Sequence, residues 1–214
     1  MELCKNCGTN PELVCDDCRA KIIQDWQKII PFRFREQENI SIKNTPKNFA
    51  NRFLAKDKKF TGLFLYGETG TGKTTQLAVM CNYIFRAVDI KNRNQTCPVI
   101  WAHDQVLAFN IQWANAGRGL KSVAEIVDEI AAVSQKKLVI IDDLCKGSPK
   151  TNVTMDGYNL LIDQIYNNCG WLAIASNHNL EQAKEYIGYP AVERIIQMCG
   201  ENIEEIAGES KRYG

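Results

Sequence analysis

From residue 62 onward, apolar positions along this chain of 214 residues follow two alternating rhythms. Short apolar runs, three of them nearly continuous, predict strands at 63–66, 98–102, 138–141 and 171–175, with a weaker one at 203–206. Between them, apolar residues recur at helical spacing and predict helices at 73–91, 104–116, 122–135, 153–168, 180–186 and 190–198. In the first of these, Leu77, Met80, Cys81 and Ile84 share one face. Strands that alternate with helices and lack a polar face belong in a parallel sheet covered on both sides. The expected fold is α/β, with three layers built around a five-stranded parallel sheet.

The first 60 residues read differently. Ile22, Ile23, Trp26 and Ile30 fall on one side of a short amphipathic helix from Arg19 to Ile30, which Pro31 stops. Residues 32–47 mix charge with isolated apolar residues, and 48–58 reads as helical. The chain therefore divides into 1–30, a linker or N-terminal arm at 31–60, and the α/β domain at 61–214. No internal repeat or low-complexity tract interrupts it.

The strongest chemical signal follows the first strand. Gly67-Glu68-Thr69-Gly70-Thr71-Gly72-Lys73-Thr74, followed by Thr75, fits G-x-x-x-x-G-K-[ST], a phosphate-binding loop. Its glycines allow backbone conformations that turn successive N–H groups inward. Those amides and the positive end of the next helix suit the β- and γ-phosphates of a nucleoside triphosphate. Lys73 adds a point charge there, and the Thr74 hydroxyl suits Mg²⁺. A glycine-rich turn before an ordinary helix is the plainer alternative.

A second element completes such a site. Leu138-Val139-Ile140-Ile141 runs directly into Asp142 and Asp143. A buried parallel strand delivers its last residues to the sheet's carboxyl edge, where the phosphate loop also lies. Asp142 is expected to hold Mg²⁺, and Asp143 to orient or deprotonate the attacking water. Aspartate is one methylene shorter than glutamate, so hydrolysis is expected to be slow. Trp171 to Ala175 runs into Ser176 and Asn177, and Asn177 is placed to meet the water or the γ-phosphate. Asn179 is better placed to cap the following helix.

Nine cysteines are present, and four are paired by spacing: Cys4-x-x-Cys7 and Cys15-x-x-Cys18. Two C-x-x-C turns offer four soft ligands to one tetrahedral, structural Zn²⁺. So short a segment cannot bury a core, so metal binding would supply its folding free energy. Redox pairs or loose thiols are the alternative. Cys81, Cys97, Cys145, Cys169 and Cys199 read as reduced, mostly buried thiols. His103 and His178 read as hydrogen-bonded loop residues.

Composition changes this picture little. The chain is 45% hydrophobic with net charge +1, ordinary for a globular protein. No apolar run is long enough for a bilayer and no signal-peptide layout opens the chain, so a cytoplasmic setting with its ATP pool is expected, without a membrane partner.

Phosphate loop, apolar strand with paired acids, one helix, then a strand ending Ala175-Ser176-Asn177 resembles the helicase-loader branch of the AAA+ ATPases, closest to the DnaC/IstB-like family of bacteria and their phages. Three further segments agree: Ile30-Pro31-Phe32-Arg33-Phe34-Arg35, Val192-Glu193-Arg194-Ile195-Ile196 and Gly208-Glu209-Ser210-Lys211-Arg212. The resemblance implies a P-loop NTPase fold of AAA+ type over roughly 30–214. It implies ATP hydrolysis, Asn177 as sensor, and Arg194 as a finger reaching nucleotide on a neighbouring subunit packed head to tail. It further implies a replicative helicase as partner, with the N-terminal knuckle favoured for gripping it. Single-stranded DNA would lie along 104–135, where Trp113, Arg118 and Lys121 are candidates. Asp143 stands where the family typically has glutamate, and the 153–168 helix lacks the family's arginine. No helical lid is expected after Arg212, so the N-terminal arm and a neighbouring subunit would cover the nucleotide. A transposition helper of IstB type, a P-loop kinase and a non-hydrolysing ATP-binding adaptor are the competing readings.

Overall fold

The computed structural model describes residues 14–35, 40–92, 94–118, 121–146 and 151–208. Among these, five strands form one sheet: β1 (Gly62–Tyr66), β2 (Val99–His103), β3 (Leu138–Leu144), β4 (Trp171–Ser176) and β5 (Ile203–Glu205). Their order is β2-β3-β4-β1-β5, and every neighbouring pair is parallel. The eight α-helices described are α1 (Asp16–Gln27), α2 (Asn44–Ala55), α3 (Lys73–Ala87), α4 (Asp104–Asn115), α5 (Val123–Ser134), α6 (Asn152–Asn167), α7 (Leu180–Ile187) and α8 (Tyr189–Cys199).

Side-chain alternation along the strands builds two cores. Leu63, Leu65, Leu138, Ile140, Trp171, Ala173 and Ala175 face α1, α2 and α3. Phe64, Val139, Ile141, Leu172 and Ile174 face α4 through α8. Both faces are covered, which is why these strands read as unbroken apolar runs.

Three helix ends depart from the sequence-based expectation. The first helix begins at Asp16 rather than Arg19, because the Cys15 thiol caps it, accepting from the Cys18 N–H at 3.5 Å. Residues 31–60 contain a 3₁₀ turn at Phe32–Phe34 and α2, which starts at Asn44 rather than 48 and stops where Lys56 turns left-handed at φ 57°. The third helix stops at Ala87 rather than 91. There the Arg19 guanidinium takes the Arg86 and Val88 carbonyls at 2.7 and 3.2 Å, satisfying the helix end from outside.

Trp171 anchors the α2 side of the sheet. It is 2% exposed, and Phe49 and Phe53 meet it edge to face with centroids 5.8 and 5.3 Å away. Trp171→Ala is expected to cost about 3–5 kcal/mol in urea unfolding, and Trp171→Phe markedly less. Equal midpoints for wild type and the alanine variant would remove Trp171 from this role.

Candidate nucleotide-binding site

Parallel strands send all their carboxyl ends to one edge, and the predicted chemistry gathers there. β1 leads into residues 67–72, which turn into α3. At Gly67 (φ 142°) a Cβ would lie 2.6 Å from the Ile206 carbonyl oxygen just after β5, so only glycine fits. Gly72 (φ 102°) is the N-cap of α3 and brings no capping side chain, which leaves the first-turn amides suited to an external anion. The Lys73 ammonium is buried against the loop's own carbonyls, donating to Gly67 O at 2.8 Å and Glu68 O at 2.7 Å. Thr71 braces the turn by donating to Glu68 O at 2.9 Å.

The acids arrive on β3. Ile141 pairs with Ile174 and Leu144 with Ser176, so Asp142 and Asp143 together oppose Ala175. This is a β-bulge, which bends the strand and re-aims its side chains. Asp143 takes φ 60° and Cys145 φ 67°, both left-handed. The sequence pattern places the strand's end at 141; the strand in fact continues through both acids to Leu144.

Asp142 is 2% exposed and accepts from the Thr74 hydroxyl and from the Asp143 N–H, both at 3.0 Å. Burial, reinforced by the neighbouring Asp143 charge, raises its pKa above the usual carboxylate range; the Thr74 hydrogen bond and His103 work against that rise. His103 closes β2 opposite Asp142, its Nδ1 3.9 Å from the carboxylate. It is therefore a strand-end residue beside the acid, not a loop residue. The Asp143 carboxylate lies 2.6 Å from the Lys146 ammonium.

Strand order supplies the next residue. β4 lies between β1 and β3, so Asn177 emerges between the loop and the acids. Ser176 fixes this exit, donating to Leu144 O at 2.9 Å and accepting from the His178 N–H at 3.1 Å. Asn179 caps α7 in a reciprocal box with Gln182.

One cavity is shared by Thr69, Lys73, Thr74 and Thr75 of the loop and helix, by Asp143 and by Asn177. Arg33 and Phe34 of the N-terminal arm line it too. Arg194 does not; on α8 its Nε donates to Asp163 at 3.1 Å and its guanidinium lies 4.7 Å from the Tyr166 ring centroid.

The remaining sequence candidates separate. Cys4 and Cys7 lie outside the described residues, as does the 209–212 part of the terminal motif; Cys15 and Cys18 sit together at the start of α1. Among the described residues no group of metal-binding side chains forms a site. Cys81, Cys145 and Cys199 are buried, whereas Cys169 is exposed. On α4, Trp113 is exposed and packs on exposed Phe109 at 5.0 Å, with exposed Val106 on the same side. Lys121 is engaged by Glu129 at 2.5 Å. No helix among the described residues is long and apolar enough to cross a membrane.

Sequence reading did not select His103, Lys146 or Phe109. His103 meets Asp142 only through pairing of β2 with β3, strands 39 residues apart at those two positions, so no local pattern marks it.

No protein-family model matches the chain, and no curated protein does. Solved structures do. The DnaC helicase loader superposes with TM-score 0.55 at 17% identity, covering 79% of this chain and 93% of that one. DnaI superposes with TM-score 0.55 at 22% identity, covering 90% and 93%. The replication initiator DnaA bound to AMPPCP and single-stranded DNA gives 0.54 at 17%, covering 78% of this chain and 48% of that one. The chain thus has the α/β fold of these proteins.

Asp142 also predicts a stability signature. Its raised pKa means the folded state binds this proton more tightly than the unfolded state, so stability falls as pH rises from the unfolded value through the folded one. Asp142→Asn lacks this penalty and can still accept from Thr74. Without nucleotide and Mg²⁺, the variant is expected to melt higher than wild type at pH 7, with the gap closing as pH drops below the ordinary aspartate range. A variant melting at or below wild type at pH 7 would contradict the described environment of Asp142.

Proposed function

We propose that this chain is an ATP-hydrolysing AAA+ protein of the DnaC/IstB-like family that loads a replicative DNA helicase onto single-stranded DNA. The observation carrying the proposal is the Thr74–Asp142 hydrogen bond at 3.0 Å, beside a cavity lined by Lys73, Asp143 and Asn177. Loop and acid-bearing strand meet where a magnesium nucleotide needs both. The oxygens of Thr74 and Asp142 fit a hard cation, and a desolvated carboxylate with a raised pKa is the kind of ligand a cation relieves. Mg²⁺ at that position would neutralise phosphate charge.

The chain's residues then divide the work. Residues 67–73 hold the phosphates through amides and the Lys73 charge. Asp143 orients the attacking water once its carboxylate turns from Lys146, and Asn177 fixes the same water or the γ-phosphate. Arg194, held on α8 by Asp163 and Tyr166, is presented outward to a neighbouring subunit's nucleotide. The head-to-tail packing this requires follows the logic of heterologous interfaces. Trp113 with Phe109 offers bases a stacking platform, and Arg118 offers phosphate contact. The likeness to the DnaC helicase loader and to DnaA bound to single-stranded DNA supports both partners. The setting that follows is the cytoplasm of a bacterium or phage-infected bacterium.

ATP is expected to make the chain bind a hexameric replicative helicase. Lys73→Ala should lose ATP binding and helicase binding together. Arg194→Ala should keep ATP binding while hydrolysis falls at least tenfold, and Trp113→Ala should weaken single-stranded DNA without touching ATP. Helicase binding indifferent to ATP and to Lys73 would defeat the loader reading; capture of a transposase instead would favour the IstB-type helper. A phosphorylated small molecule in place of inorganic phosphate would make the chain a kinase.

Zinc belongs to the same proposal. Cys15 and Cys18 sit within one turn at the start of α1, which suits one half of a four-thiolate site completed by Cys4 and Cys7. Metal analysis of the intact chain is expected to find about one zinc per chain, lost in Cys15→Ser; metal-free protein purified without chelator would refute it.

A further inference from the structure

Two members of the phosphate cavity come from neither the loop nor the strand ends: Arg33 and Phe34. They lie on the 3₁₀ turn after Pro31. This turn is fastened on both sides. Ile30 before it is fully buried. Arg35 after it donates to Ile30 O at 2.8 Å and Lys28 O at 2.7 Å, and Asn82 of α3 reaches the Arg35 carbonyl at 3.4 Å. The Arg33 guanidinium lies 4.7 Å from the centroid of the Phe34 ring, a stacked placement that limits its wandering.

We propose that Arg33 grips the polyphosphate of bound nucleotide in cis, from the N-terminal arm. The inference rests on the ATP-site reading above and adds a binding residue to it. Arg33 and Lys73 are the two cations lining the described cavity. Lys73 sits at the floor, 5% exposed, while Arg33 is exposed at the rim. A triphosphate keeps net negative charge after one Mg²⁺ binds, so it can take a further cation. A planar five-donor guanidinium suits phosphate oxygens better than any neutral neighbour here. Six of the other residues lining the cavity, Thr69, Gly70, Gly72, Lys73, Thr74 and Thr75, belong to the phosphate loop and the first turn of α3, which favours phosphate over nucleobase as the target. Bound nucleotide would then hold the arm closed over the site, and with it the segment leading back to α1.

The test is ATP affinity of the intact chain as a function of KCl, for wild type, Arg33→Ala, Arg33→Lys and Lys73→Ala. Arg33→Ala is expected to bind ATP about tenfold more weakly at low salt, in line with one charge-assisted hydrogen-bonding group. The gap should narrow as KCl rises, because screening weakens an exposed ionic contact. Arg33→Lys should recover part of the affinity, keeping charge but losing the fork. Equal affinity at every salt concentration overturns the proposal. So does a loss that ignores salt, which would mark stacking on the base. The Lys73→Ala arm keeps the two readings apart: if that variant still binds ATP normally the nucleotide site itself is wrong, whereas its failure beside a wild-type-like Arg33→Ala sinks only the role of Arg33.

Discussion

Asp142 holds the two halves of the candidate site in one place. Its carboxylate is almost wholly withdrawn from water, sits next to a second carboxylate and takes its hydroxyl hydrogen bond from Thr74 at the start of α3. Such a group is costly in an empty protein, because a neutral residue of the same shape would face no desolvation penalty. Its raised pKa records that cost. On the proposed reading, a cation joining the two oxygens would turn that cost into a source of affinity. Stability is sacrificed locally, and the two apolar cores on either side of the sheet carry it instead.

The bulge at Asp142–Asp143 follows from the same demand. In a regular strand, consecutive side chains point to opposite faces, so the side chains of Asp142 and Asp143 would be directed apart. One extra residue against Ala175, with Asp143 left-handed, breaks the alternation. That backbone also bears on the residue type. Aspartate tolerates φ near 60° better than a longer side chain does. The short carboxylate of Asp143 therefore suits the conformation it occupies. Lys146 at 2.6 Å gives the Asp143 carboxylate a partner.

What the sequence reveals and hides follows from the range of each interaction. The strands are legible because a doubly covered sheet needs continuous apolar runs, and the phosphate loop because its eight residues act together locally. The N-cap of α1 is hidden because a cysteine is an uncommon cap and its thiol also fits metal-ligand spacing. The end of α3 is hidden because it is set by Arg19, 67 residues before Arg86. The bulge escapes notice because an apolar run ending in two acids looks the same whether the ladder stops or continues. His103 and Arg33 reach the site only once strand order and the path of the arm are fixed.

The arm gives the nucleotide site a direct mechanical link to the N-terminal region. α1 is seated on α3 through Trp26 against Phe85 at 5.8 Å, Gln27 to Asn82 at 2.9 Å, and Arg19 at the α3 carbonyl end. α3 begins at Lys73, and the segment after α1 runs past the phosphate cavity at Arg33 and Phe34. α3 thus has one end at the phosphate-loop motif and the other held by Arg19. Segments 40–43 and α3 are also tied, since the Gln76 side chain accepts from the Lys43 N–H at 2.8 Å and donates to Ser41 O at 3.3 Å. Movement at either end of α3 must therefore break or carry these contacts. On the proposed reading, a partner gripping the residues before α1 would act on the helix that follows the phosphate loop.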